Sequence, residues 1–224
     1  MIYKSFIKII ITFTCFFSTL SVHAQYDDVN KGDIIEINGV KAIVFTLDDE
    51  GHGTAMTIKA FRGQNDAWCT DKKMINSLKM MSLMDGYANT QEVFNYCSSQ
   101  NVSLKKFPVF YWCNQLGEGW YIPAENQLKD FINFWLGNEQ EFNWDDDDDE
   151  TGLDLNAKTP KQINEKIMDA GGTPFFTGVY SSTMNVEKKL TVYWYNENKG
   201  TWRFRKVRPH SIKKYMSGRA CYDF

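Results

Sequence analysis

The chain has 224 residues, a formal net charge of -3 and an aromatic content of 15%. That length suits one substantial core, and dispersed lysines and arginines at near-neutral balance give no footing for a nucleic-acid or anionic-membrane binder. Tryptophans spread from Trp68 to Trp202 argue against a disordered chain.

Lys4 and Lys8 flank an apolar run, Ile9 to Leu20, that ends in Ser21-Val22-His23-Ala24. This reads as a secretory signal peptide over 1–24, cleaved after Ala24. The run is shorter than the ~20 residues a bilayer requires, and polar Gln25-Tyr26-Asp27-Asp28 follows it. Cys15 lacks a lipoprotein-box context and leaves with the peptide. Residues 25–224 are then expected as a single domain without a membrane span, secreted to the periplasm or the cell surface.

A period of two begins at Gly32. Ile34-Ile35-Glu36-Ile37, an Asn38-Gly39 turn, Val40 to Phe45, a turn at Glu50 to Gly53 and Ala55 to Phe61 predict a β-meander over about 32–61. His52, between two glycines, is read as a loop histidine rather than a metal ligand. Asn89 and Glu92 have capping-box spacing ahead of Val93, Phe94 and Cys97 and predict a short helix. Pro108 to Leu116 predicts another, ended by Gly117; after a turn bearing Trp120 and Tyr121, Pro123 is expected to open a third that runs to Leu136 and stops at Gly137. Trp112, Trp120 and Pro123 are the structural residues of this stretch, with Trp120 expected inside the core.

The run Asp145 to Glu150 invites a calcium reading, but it lacks the glycine and the bidentate glutamate of an EF-hand loop. A solvated acidic loop is the expectation, and no metal or cofactor is assigned. Thr159, Pro160 and Gln162 start a further helix that Gly171-Gly172 ends. Strands follow at Phe175 to Tyr180, Thr191 to Tyr195 and Thr201 to Val207. Tyr193, Tyr195, Trp202 and Phe204 alternate, giving this hairpin an aromatic face. It is read first as core, and otherwise as a platform for sugar rings or peptide groups on which Tyr193, Tyr195, Asn196 and Trp202 are the candidate ligand-binding residues. The basic tail from Arg203 to Lys214 is read as the wet face of a strand. No catalytic residue is assigned: Ser181-Ser182-Thr183 lacks a nucleophile elbow, and neither His52 nor His210 has an evident partner.

Four segments together carry a resemblance. Trp112-Cys113 followed by Gly119-Trp120-Tyr121-Ile122-Pro123-Ala124, the upstream Asp85-Gly86-Tyr87-Ala88-Asn89-Thr90, Tyr180-Ser181-Ser182-Thr183, and Arg219 to Phe224 resemble, in that order, the motifs of bacterial secreted C-type-lectin-like domains of the major paralogous domain type. The departures are Tyr180, where the motif often adds a tryptophan, and Cys221, at an aliphatic position. The resemblance implies an α+β C-type-lectin-like fold, a mixed or antiparallel sheet with two to four short helices preceded by the N-terminal meander. It also implies disulfides Cys113–Cys221 and Cys69–Cys97. The lectin calcium elements are absent, and only Cys221 stands where a formylglycine-generating enzyme of this fold has two cysteines. The expected function is a non-catalytic binding or adhesion module for a glycan or an extracellular protein; the alternative is a structural accessory subunit of a surface assembly. An enzyme ranks behind both.

Overall fold

The computed structural model describes residues 28–62, 68–137, 158–175, 178–196, 201–209 and 216–224, without the side chains of 158–160, 194–196, 201–205 and 216. The signal-peptide reading and the acidic run Asp145 to Glu150 lie outside the described residues. A meander of β1 (Ile34–Ile37), β2 (Val40–Leu47) and β3 (Gly53–Thr57) leads into five helices: α1 (Lys72–Ile75), α2 (Gly86–Ser99), α3 (Pro108–Gln115), α4 (Glu125–Leu136) and α5 (Lys158–Asp169). The chain closes with β4 (Gly178–Met184), β5 (Leu190–Asn196), β6 (Thr201–Val207), β7 (Met216–Ser217) and β8 (Cys221–Asp223).

The class is α+β, with two four-stranded sheets of order β1-β2-β3-β8 and β6-β5-β4-β7. All pairings are antiparallel except β4 with β7. The meander forms a sheet with the C-terminal strand β8, which pairs with β3, and not with β4 to β7. Its first hairpin closes as predicted. Asn38 and Gly39 have φ of 51° and 80°, the positive pair that a two-residue type I′ turn requires, and Ile37 faces Val40 across it.

The inner strands are covered on both faces. On β2, Ala42 and Val44 join a core cluster with Trp68, Phe110 and Trp120, while Ile43 and Phe45 join a second with Phe131, Trp135 and Ile167. Alternate residues of a strand point to opposite faces, so this is the pattern of a strand between two apolar layers. β4 and β5 repeat it: Tyr180 and Val192 face the first cluster, Val179 and Tyr193 the second.

Two helix starts differ from the sequence reading. α2 begins at Gly86 and is capped by Asp85, whose Oδ1 accepts from the Ala88 N–H at 2.7 Å, and Asn89 sits buried inside the helix. α4 begins at Glu125 rather than at Pro123, and the Gln127 side chain caps it by accepting from the Ala124 N–H at 2.9 Å. The other two boundaries agree with the sequence: Pro108 is at the first position of α3, and Gly137 ends α4 in a left-handed conformation, φ 70°.

The expected disulfides are not formed. Among the described residues no disulfide links Cys69, Cys97, Cys113 or Cys221, all of which are buried. Each packs as a small apolar side chain, and Cys69 Sγ donates to the Asp71 carbonyl at 3.2 Å. Burial pushes the thiols of Cys97, Cys113 and Cys221 up, which disfavours the thiolate through which disulfides exchange.

The turn after α3 depends on Gly119. Its φ is +87°, and an added Cβ would lie 2.5 Å from Tyr222 Cε2, in the ring that packs against Trp120. Gly119→Ala is expected to cost about 2 kcal/mol through backbone strain and displacement of that ring. Urea denaturation with an unchanged midpoint would show that the turn relaxes without cost.

Candidate functional site

The four segments that carry the sequence resemblance meet in one polar joint, buried at Asn89, Thr90, Ser182 and Thr183 and reaching the surface at Asp223. From α2, Thr90 Oγ1 accepts from the Ile122 N–H at 2.9 Å, and Asn89 Nδ2 donates to the Ser82 carbonyl at 2.8 Å and to Ser182 Oγ at 3.2 Å. From β4, the Ser182 N–H donates to the Pro123 carbonyl at 2.8 Å, while Thr183 Oγ1 accepts from the Glu125 N–H at 2.9 Å and donates to the Ser82 carbonyl at 2.7 Å. Gln127 binds three segments: its Oε1 also accepts from the Gly86 N–H at 3.0 Å, and its Nε2 donates to the Tyr121 hydroxyl at 2.9 Å. Tyr121 donates in turn to Asp223 Oδ1 at 2.5 Å, where Thr54 Oγ1 also donates at 2.9 Å. Burial, and then the charges of Cys221 and Asp223, push the Tyr121 phenol up, so it stays a donor at neutral pH. These groups satisfy one another, so the joint is an internal scaffold that positions helices against strands. Ser181 belongs to it as well, donating to the Thr183 carbonyl at 3.3 Å, inside the core.

Arg219 is a second internal tie. It is fully buried, and Nη1 donates to the carbonyls of Thr57 and Ile58 at 2.8 and 3.0 Å while Nη2 donates to that of Thr173 at 2.6 Å. The guanidinium lies over the Phe175 ring at 5.2 Å, its Nε has no hydrogen-bond partner, and no ion pair to it is found among the described residues. Burial, assisted by the like charge of Arg62, lowers its pKa to about 9, which leaves it cationic at neutral pH.

At Tyr193 the hairpin face is core, the first of its two readings: the residue is fully buried in the second core cluster and offers no face to a ligand, so it leaves the candidate ligand-binding set. The reason is the covering of both faces of the inner strands. Tyr195 and Asn196 pair through the backbone with Trp202 and Thr201 on β6, and their side chains lie outside the described ones. His52 sits exposed in the β2–β3 turn with its Nδ1 3.5 Å from Asp48 Oδ2 and 3.8 Å from Glu50 Oε2. Among the described residues no group of three ligating side chains could hold a metal ion.

Among the described residues, two surface features bear on function. The first is a cleft of about 350 Å³ between the β1–β2 hairpin, α3 and the turn after α5, a volume within the range of small-ligand sites. Trp112 and Leu116 form one wall, Val40 and Lys41 another, and Glu36 and Lys59 stand at the rim. Trp112 is half-buried and backed by Phe61, ring centroids 5.6 Å apart; Lys41 Nζ lies 3.4 Å from the Ala170 carbonyl. The second is β6, which among the described residues stands at the end of its sheet and pairs with β5 over all seven of its residues.

No family model matches this chain, and no curated protein matches it. Among solved structures it is similar to a fimbrial protein from Bacteroides ovatus, at 14% identity and a TM-score of 0.40, over 77% of this chain and 35% of that one. The chain thus spans about a third of that protein's length. No helix of the described residues is long and apolar enough to cross a membrane.

The sequence reading placed Trp112 among structural residues and left Lys41 and Lys59 unassigned. The available signal was the edge of the α3 stripe: Val109 and Cys113 are fully buried, whereas Trp112 and Leu116, on the same face, reach the surface.

Proposed function

We propose that the protein is exported and serves, without catalysing a reaction, as an accessory subunit of a cell-surface assembly. The observation that carries this reading is the edge position of β6. In an antiparallel pair, alternate residues turn their N–H and C=O groups away from the partner strand, so a seven-residue edge strand is a template for a further strand. The apolar run Ile9 to Leu20 with the small residues before Gln25 supports export. The C-type-lectin-like fold is part of the proposal: its support is that all four motif segments pack together at one joint. A second reading, a binding module for a glycan or an extracellular protein, is favoured by the Trp112 cleft.

The test places a photo-crosslinking residue at Arg203 or Arg205 of the full chain in its native cells. Crosslinks from β6 to a strand of another exported subunit are expected at the cell surface. Recovery of an uncrosslinked chain, or a cytoplasmic chain that retains residues 1–24, overturns the proposal.

A further inference from the structure

We infer that the Trp112 cleft is a binding site for an acidic sugar residue, one bearing a carboxylate on the ring, such as a hexuronate. This rests on the second reading, the binding module, and names its ligand class; the site is separate from the β6 edge and does not depend on the assembly role. Trp112 is partly buried and lines the cleft, and an indole in a cleft wall offers an apolar surface with a polar margin, of the kind on which the C–H face of a sugar ring stacks. Phe61 packs against Trp112, so the indole is held in place before a ligand arrives.

The electrostatics select the acidic class. Lys41 and Lys59 line the cleft against one carboxylate, Glu36, and Lys59 makes no ion pair among the described residues. Behind the floor, buried Arg219 holds the carbonyls of Thr57 and Ile58, two residues that line the cleft, and it adds a third positive charge. A low-dielectric wall strengthens the field of that charge at the cleft. A neutral sugar would use the indole and leave the lysines hydrated, whereas a carboxylate on the ring engages both features.

The test titrates the purified secreted protein with methyl glucuronide, methyl glucoside and a glutamate-containing tripeptide, reading tryptophan fluorescence and ligand NMR saturation transfer. The glucuronide is expected to bind and the other two to bind at least about tenfold more weakly. Lys59→Ala should weaken glucuronide binding about tenfold and Lys59→Arg should restore it, with melting temperatures unchanged because Lys59 is exposed. Trp112→Ala should abolish saturation transfer to the sugar ring protons; should that variant fail to fold, the Lys59 pair decides alone. Equal binding of glucoside and glucuronide, preference for the tripeptide, insensitivity to Lys59→Ala, or no binding each overturns the inference. None of these results bears on strand docking at β6.

Discussion

Replacing Arg219 with methionine is expected to cost about 4 kcal/mol of folding stability, among the largest effects of a single change in this protein. Methionine can occupy much of the same space, so the loss comes from polar groups rather than from a cavity. The Thr57, Ile58 and Thr173 carbonyls accept from the guanidinium inside the core, and hydrogen bonds to a charged donor each contribute about 1.5 to 3 kcal/mol. The Ile58 carbonyl also accepts from the Thr173 N–H at 2.8 Å and keeps that partner, which holds the total below the sum of three bonds. Arg219→Lys retains the charge but not the planar fork that reaches both the end of β3 and the loop before Phe175, so it should recover at most about half of the loss. Guanidinium denaturation measures both variants. A change below about 1 kcal/mol in Arg219→Met would mean that the buried charge costs as much as its bonds return.

Trp120→Ala is expected to cost about 3 to 5 kcal/mol, the range for deleting a large buried aromatic. Trp120 is 1% exposed, belongs to the first core cluster and packs against Tyr222 at 5.3 Å between ring centroids. Its indole Nε1 has no hydrogen-bond partner, so Trp120→Phe removes a buried polar group along with some volume. That variant should lose only about 1 kcal/mol, the cavity cost being offset by relief of an unsatisfied N–H. A Trp120→Phe variant as unstable as Trp120→Ala would indicate that the N–H is satisfied by buried water. Thermal melts of the three proteins, monitored by circular dichroism, separate these outcomes.

Local chemistry was legible from residues alone where the responsible groups are neighbours in sequence. The Asn38-Gly39 hairpin, the start of α3 at Pro108 and the stop of α4 at Gly137 each depend on a backbone preference of one or two residues. The start of α2 was misread because Asn89 and Asp85 both have capping chemistry. Tertiary contacts chose between them: Asn89 is drawn into the core by Ser82 and Ser182, and Asp85 is left at the cap.

The amino-acid sequence by itself determined the α+β class, the order of most elements and the burial of Trp120, because hydrophobic period and turn chemistry are local properties. Only the tertiary structure decided that the strands form two sheets whose inner strands are covered on both faces, which buries Tyr193. It also decided that the C-terminal strand completes the meander, and that Trp112 opens onto a cleft with Lys41 and Lys59. Those outcomes depend on which apolar layer meets which face, and on residues far apart in the chain becoming neighbours; a single strand's alternation carries neither, since it reads the same whether its second face meets water or another core.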